Sequence, residues 1–217
     1  MSNKVFIFDL DGVIVDTAKY HFLAWKNLAN VLGFDFTEEQ NEQLKGVSRV
    51  KSLEILLEIG KVKLSEEKKQ ALLSEKNKEY LEYVHKMTTA EILPGIEEAL
   101  DFLDKNNIKY ALGSASKNAP LILKKVGLFD RFTAIVDGND VSKAKPDPEV
   151  FLIAAKKLNK SPNTCIVIED ALAGVQAANY ANMTSVGIGD KKVLNEADYI
   201  LAETNEFTIN FINKLIV

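Results

Sequence analysis

Val5-Phe6-Ile7-Phe8-Asp9-Leu10-Asp11-Gly12 is the stretch on which this 217-residue chain turns. Four consecutive apolar residues suit a strand covered on both faces. The strand then stops at two aspartates two positions apart, and residues so spaced in an extended segment point the same way. Asp9 and Asp11 therefore face one spot beyond a strand's carboxyl end, where open α/β sheets hold their ligands. Gly12 lets the chain turn away sharply. The plain alternative is a solvated turn, since Asp and Gly are common turn residues. The apolar strand in front makes the motif more specific.

Outward from this motif the chain changes character twice. From Thr17 to about Lys86 helical spacing dominates: Phe22, Trp25, Leu28, Ala29 and Leu32 recur at threes and fours, with Gly33 ending the helix. Leu53, Leu56 and Leu57 mark a second helix, and Ser65 caps a third that continues through Leu72, Leu73, Tyr80, Leu81 and Val84. After Leu93-Pro94-Gly95, helices near Ile96–Lys105, 119–126, 148–158 and 171–181 alternate with short apolar runs at 109–114, Ala134–Val136, 164–168 and 184–187. Tyr199–Leu201 reads as an edge strand. Such alternation predicts βαβ units around a parallel sheet. The first strand belongs to that sheet, so about seventy helical residues are inserted after it. The expected fold is α/β, a Rossmann-like core of residues 1–15 and 88–217 with a helical cap of residues 16–87.

Composition narrows the partners. Apolar residues make up 47% of the chain, enough for a sizeable core. Lys and Arg number 27 against 31 Asp and Glu, a net charge of −4 that argues against binding nucleic acid through its phosphates. One cysteine, Cys165, forms no internal disulfide and points to a reducing cytoplasm. No apolar run approaches the ~18 residues of a membrane span, and the start of the chain reads against a secretory leader. Two histidines and one cysteine exclude a zinc site built on those ligands.

Other strand ends carry polar groups that would meet the aspartates on one sheet edge. Ser114 ends one run, Glu169-Asp170 another, and Lys145-Pro146 precedes the helix before the latter. Clustered carboxylates repel unless a cation neutralises them, and Mg²⁺ suits oxygen ligands completed by water and phosphate. Asp9, Asp11, Glu169 and Asp170 are thus the expected metal ligands. Taken singly, each has a plainer role: an exposed loop for Glu169-Asp170, a surface lysine for Lys145, a turn serine for Ser114.

Asp9-Leu10-Asp11-Gly12, Ser114, Lys145-Pro146 and Glu169-Asp170 followed by Gly174, in this order, resemble the haloacid dehalogenase superfamily. The resemblance implies a cap inserted after the first Asp loop and an aspartyl phosphate on Asp9. Carboxylates are ordinarily ionised at neutral pH and attack phosphorus without a base. Mg²⁺ and Lys145 would offset the repulsion of the incoming phosphate. Ser114 can donate to a phosphoryl oxygen, and Asp11 is placed as general acid and base.

Water as acceptor makes such an enzyme a phosphatase, and a sugar hydroxyl makes it a mutase. A mutase needs a second anion site and a lid against water. Leu44-Lys45-Gly46-Val47-Ser48-Arg49 joins two cap helices and offers amides near a helix start plus a two-donor guanidinium; an ordinary loop with exposed Lys45 and Arg49 is the alternative. Ser114-Ala115-Ser116-Lys117-Asn118 adds Ser116, Lys117 and Asn118 from the core, or else forms a helix-capping turn.

These two loops, with Thr17-Ala18-Lys19-Tyr20-His21-Phe22-Leu23-Ala24-Trp25 and Glu75-Lys76-Asn77, resemble the β-phosphoglucomutase family over nearly the whole chain, less so in the last thirty residues. That resemblance implies interconversion of β-D-glucose 1-phosphate and glucose 6-phosphate through β-glucose 1,6-bisphosphate, with Mg²⁺ as cofactor. It implies catalytic roles for Asp9, Asp11, Ser114, Lys145, Thr17 and His21, the last two linking lid closure to Asp11. It implies substrate binding by Asp9, Asp11, Trp25, Leu44, Lys45, Gly46, Val47, Ser48, Arg49, Ser52, Lys76, Ser114, Ala115, Ser116, Lys117 and Asn118. Trp25 reads as cap core rather than a sugar platform, and His21 equally as a half-buried helix residue. Partners are expected to be sugar phosphates, with no nucleic acid or membrane, for a monomer. A sugar-phosphate phosphatase and a phospho-accepting signalling domain remain the competing classes.

Overall fold

The computed structural model describes residues 3–216. Among these, six strands form one sheet: β1 (Val5–Phe8), β2 (Tyr110–Gly113), β3 (Ala134–Val136), β4 (Cys165–Glu169), β5 (Thr184–Ile188) and β6 (Tyr199–Leu201). Their order is β3-β2-β1-β4-β5-β6, and every neighbouring pair is parallel. From β1 the chain steps outward through β2 and β3, then crosses back to β4 on the other side of β1. That reversal is a topological switch point, so the segments leaving β1 and β4 open a crevice between them. Asp9 and Asp170 are the residues that leave those two strands.

The alternation of β1 explains its central place. Phe6 and Phe8 face one core cluster with Tyr110, Leu112 and Phe207, while Val5 and Ile7 face another with Ala111, Phe151 and Val167. Edge-to-face contacts of Phe8 with Tyr110 at 6.1 Å and of Phe6 with Phe207 at 6.0 Å fill the first cluster.

Four helices lie between β1 and β2 before the core resumes: α1 (Ala18–Val31), α2 (Glu38–Asn41), α3 (Arg49–Ile59) and α4 (Glu66–Val84). Side-chain oxygens of Ser48 and Ser65 cap α3 and α4 by accepting from the amides of Lys51 and Lys68. These helices share their own apolar cluster, which includes Trp25, Phe36, Leu53 and Leu56. The two crossings to the sheet are tied together: the Asp16 amide donates to the Glu91 carbonyl and the Leu93 amide to the Ile14 carbonyl, both at 3.0 Å.

Helices α5 (Ile96–Lys105), α6 (Ala119–Lys125), α7 (Glu149–Lys157) and α8 (Leu172–Tyr180) cover the sheet, and α9 (Ile209–Ile216) closes the described chain against α5. α9 is not among the expected helices: Ile209, Ile212, Leu215 and Ile216 recur at threes and fours, but eight residues are too few to tell a helix from a short apolar run by length. A second difference matters more. The sequence ends the fourth strand at Ile168, whereas β4 continues through Glu169, which pairs in register with Gly187. No described helix is long and apolar enough to cross a membrane.

Candidate active site

Lys145 stands at the centre of a buried charge cluster. Its ammonium donates to Asp9 Oδ1 at 2.5 Å, to Glu169 Oε1 at 2.5 Å and to the Gly113 carbonyl at 3.1 Å, which uses all three of its protons. Burial opposes its charge, but Asp9 and Glu169 outweigh burial and hold it above the usual lysine range. Asp9 Oδ2 accepts the Asp11 amide at 3.0 Å, so both oxygens of the expected nucleophile are oriented.

The sequence counts Glu169 among the metal ligands; the structure places its carboxylate against Lys145. Because β4 runs on through Glu169, its carboxylate turns inward to full burial, with Oε1 on Lys145 and Oε2 on the Ala171 amide at 3.0 Å. A Cβ on Gly174 would lie 1.9 Å from the Glu169 carboxyl carbon, so α8 carries glycine where it crosses that carboxylate. Glu169 thus orients Lys145. Burial lifts its pKa to about 7 against the pull of Lys145.

Asp11 and Asp170 complete the acidic pocket. Burial, reinforced by the charge of Asp9, raises Asp11 to about 7. Burial and the charges of Glu169 and Asp9 raise Asp170 well above the ordinary range. Asp11 Oδ1 is buried with no hydrogen-bond partner. An orphaned carboxylate oxygen among mutually repelling carboxylates is a donor set that fits a hard divalent cation. Among the described residues no three His, Cys, Asp or Glu side chains stand assembled as a finished cage. Stripped of divalent cations, the protein is expected to lose stability as pH rises from about 4 to about 7, because Asp11 binds its proton more tightly folded, near 7, than unfolded, near 3.8. Denaturant titrations in a chelator should show a slope for Asp11→Asn that is shallower by up to about 1.4 kcal/mol per pH unit. An unchanged slope would exclude the raised pKa.

A cavity of about 590 Å³ opens beside this cluster. The core lines it with Asp9, Asp11, Ser114, Lys145, Asp170 and the loop residues Ala115, Ser116, Lys117 and Asn118. The helical segment lines it with His21, Trp25, Leu44, Lys45, Gly46, Val47, Ser48, Arg49, Ser52 and Lys76. Asn118 Nδ2 donates to Asn77 Oδ1 across the two at 3.0 Å, so α4 and the core loop meet over the cavity. Several of these groups also have local work. The Ser48 carbonyl accepts from the Ser52 hydroxyl at 3.2 Å, Lys45 pairs with Glu42 at 2.9 Å, and Ser114 and Ser116 accept from the amides of Ser116 and Asn118. Of the capping turn weighed as the alternative for that loop, the serine turns are present on the cavity wall, while α6 begins after Asn118 without a side-chain cap.

Thr17 does not reach the cavity. It is fully buried at the start of α1, with its hydroxyl lacking a hydrogen-bond partner. Trp25 is 2% exposed and belongs to the cap core while bordering the cavity. Over its ring, at 4.5 Å, lies the ammonium of Lys76, which also sits 2.9 Å from His21 Nδ1. With Lys76 charged, its ammonium donates to His21 Nδ1 and the ring proton is on Nε2. That Nε2 faces Asp11 Oδ2 at 3.9 Å. Burial, then the charges of Lys76 and Arg49, push His21 well below its ordinary pKa, so the ring is neutral. Burial and Arg49 bring Lys76 down to about 7. Burial likewise lowers Arg49. Tyr80 was missed in sequence: its ring stacks on His21 at 4.1 Å, but at helical spacing it looks like any other core position.

Residues 3–182 match the family model described as haloacid dehalogenase-like hydrolase. The chain is 44% identical over 213 residues to a beta-phosphoglucomutase of Bacillus subtilis, covering 97% of this chain and 94% of that one. It is 30% identical to a phosphorylated carbohydrates phosphatase of Thermotoga maritima, covering 97% and 98%. A crystal structure of beta-phosphoglucomutase from Clostridium difficile superposes with a TM-score of 0.93 at 46% identity, covering 98% of this chain and 96% of that chain.

Proposed function

The chain belongs to the haloacid dehalogenase-like hydrolase family, and on that footing we propose that it is a phosphomutase interconverting β-D-glucose 1-phosphate and glucose 6-phosphate through β-glucose 1,6-bisphosphate. The observation that carries this reading is one cavity shared by Asp9, Asp11, Ser114 and Lys145 with Arg49 from the cap loop and Ser116, Lys117 and Asn118 from the core loop. A phosphatase acting on a monophosphate has no need of a second set of anion donors.

Phosphorylated Asp9 is the donor. A sugar hydroxyl attacks its phosphorus while Asp11 takes the hydroxyl proton, and the carboxylate of Asp9 is released. The bisphosphate turns round, Asp9 attacks the other phosphorus, and Asp11 returns the proton to the departing oxygen. In the metal-free site burial raises Asp11 to about 7, which places it between its acid and base forms near neutral pH. Lys145 and Ser114 offset phosphoryl charge, and neutral His21 presents Nε2–H towards Asp11. Asp9, Asp11 and Asp170 would hold Mg²⁺, which supplies charge neutralisation at the phosphoryl oxygens when bound. Residues 16–87 serve as a lid that keeps water from the aspartyl phosphate, over a core of 1–15 and 88–217. The protein acts as a monomer in the cytoplasm, on small sugar phosphates.

The test is incubation with β-glucose 1-phosphate, Mg²⁺ and a trace of the bisphosphate. Glucose 6-phosphate without inorganic phosphate is the expected result. Stoichiometric phosphate release would transfer the protein to the sugar-phosphate phosphatases.

A further inference from the structure

We propose that the turn at residues 137–140, between β3 and α7, is the positioning element of the second phosphate subsite, with Gly138 its decisive residue. This deepens the mutase reading and rests on it. The turn lies behind the core loop 114–118. A Cβ on Gly138 would stand 2.3 Å from the Ala115 carbonyl oxygen, 3.2 Å from the Ala115 carbonyl carbon and 3.0 Å from Lys117 Cγ. The first two are backbone atoms, which a rotamer change cannot move aside. The Gly138 amide donates to the Ser116 carbonyl at 3.4 Å, and Asn139 Nδ2 donates to the Lys117 carbonyl at 3.4 Å. Two consecutive turn residues therefore back three consecutive residues of the loop.

The turn is itself braced. The Asp137 amide donates to Asp140 Oδ2 at 3.0 Å, the Asn139 amide to Asp137 Oδ1 at 2.6 Å, and Lys157 from α7 pairs with Asp140 at 3.5 Å. Gly138 borders the cavity but presents no side chain to it, and Asp137 and Asp140 would repel a phosphate, so the turn acts on the ligand through the loop. Its effect falls on Ser116, Lys117 and Asn118, the residues given to the non-transferring phosphate. Asp9 and Asp11 follow β1, and Lys145, though on the same β3–α7 connection as the turn, is fixed separately by Asp9, Glu169 and the Gly113 carbonyl.

Acetyl phosphate separates these functions, since it carries one phosphoryl group and can load Asp9 without a second subsite. Gly138→Ala is expected to raise KM for β-glucose 1-phosphate at least about tenfold, while Mg²⁺-dependent hydrolysis of acetyl phosphate changes less than about twofold. Asn139→Ala adds no bulk at an exposed position and should raise the same KM about threefold, which keeps the test open if Gly138→Ala folds poorly. Equal losses on both substrates, or an unchanged sugar-phosphate KM in both variants, would overturn the proposal. If the wild-type protein releases phosphate from sugar phosphates without isomerising them, the mutase reading fails. The same KM split against acetyl phosphate then still reads the turn.

Discussion

Asp9→Asn is expected to accumulate no phosphoenzyme, and its turnover is expected to fall at least about 10⁴-fold. Replacing a carboxylate by an amide barely changes shape but removes the nucleophilic oxygen. It also disturbs the local pairing. Both Asp9 oxygens accept, Oδ1 from Lys145 and Oδ2 from the Asp11 amide. An amide can accept on one side only, so its NH₂ must confront a second donor. Intact-mass spectrometry after mixing with acetyl phosphate reads the phosphoenzyme directly, and coupled assay of glucose 6-phosphate reads turnover. A phosphorylated Asp9→Asn protein, or one with wild-type turnover, would remove Asp9 from the nucleophile's place.

Lys145→Met should cost about 3–5 kcal/mol of folding stability, the usual result of removing one partner from a buried ion pair. The side chains of Lys145 and Glu169 are 1% exposed and that of Asp9 is 8% exposed, so solvent cannot screen what is left behind. Methionine fills the stem's volume against the Phe151 ring, over which the ammonium lies at 4.8 Å. The loss therefore reports charge and not a cavity. Urea titration at pH 7 measures it. Adding Glu169→Gln should restore part of the loss, because one of the stranded carboxylates is then neutral. A loss below about 1 kcal/mol would mean that the triad is not the buried unit its geometry indicates.

How much of this was legible beforehand varied residue by residue. Asp9, Asp11 and Gly12 announce themselves because they follow a four-residue apolar strand within one local window. Lys145 was ambiguous alone and became interpretable only by its order among the other motifs. Thr17 entered the expected site through the family resemblance, as a hinge residue, and its burial at the start of α1 keeps it away from the cavity. Glu169 and Asp170 look equivalent in sequence. The single extra residue of β4 turns one inward to Lys145 and leaves the other at the cavity. Gly138 and Tyr80 carried no local signal at all: a glycine after a strand and an aromatic on a helix are ordinary, and their neighbours lie 23 and 59 positions away, at Ala115 and His21.

By itself the chain's sequence determined the α/β class, the helical insertion after the first strand and the set of polar residues that gather at one sheet edge. Those follow from periodicity, apolar runs and motif order, which are properties of neighbouring residues. Tertiary structure alone decided which carboxylate oxygen meets which donor, which acid is left without a partner, and what stands behind the phosphate loop. Such pairings join side chains as far apart as Asp9 and Lys145, separated by 136 positions. Their geometry comes from the packing of strands and helices between them, which no local pattern encodes.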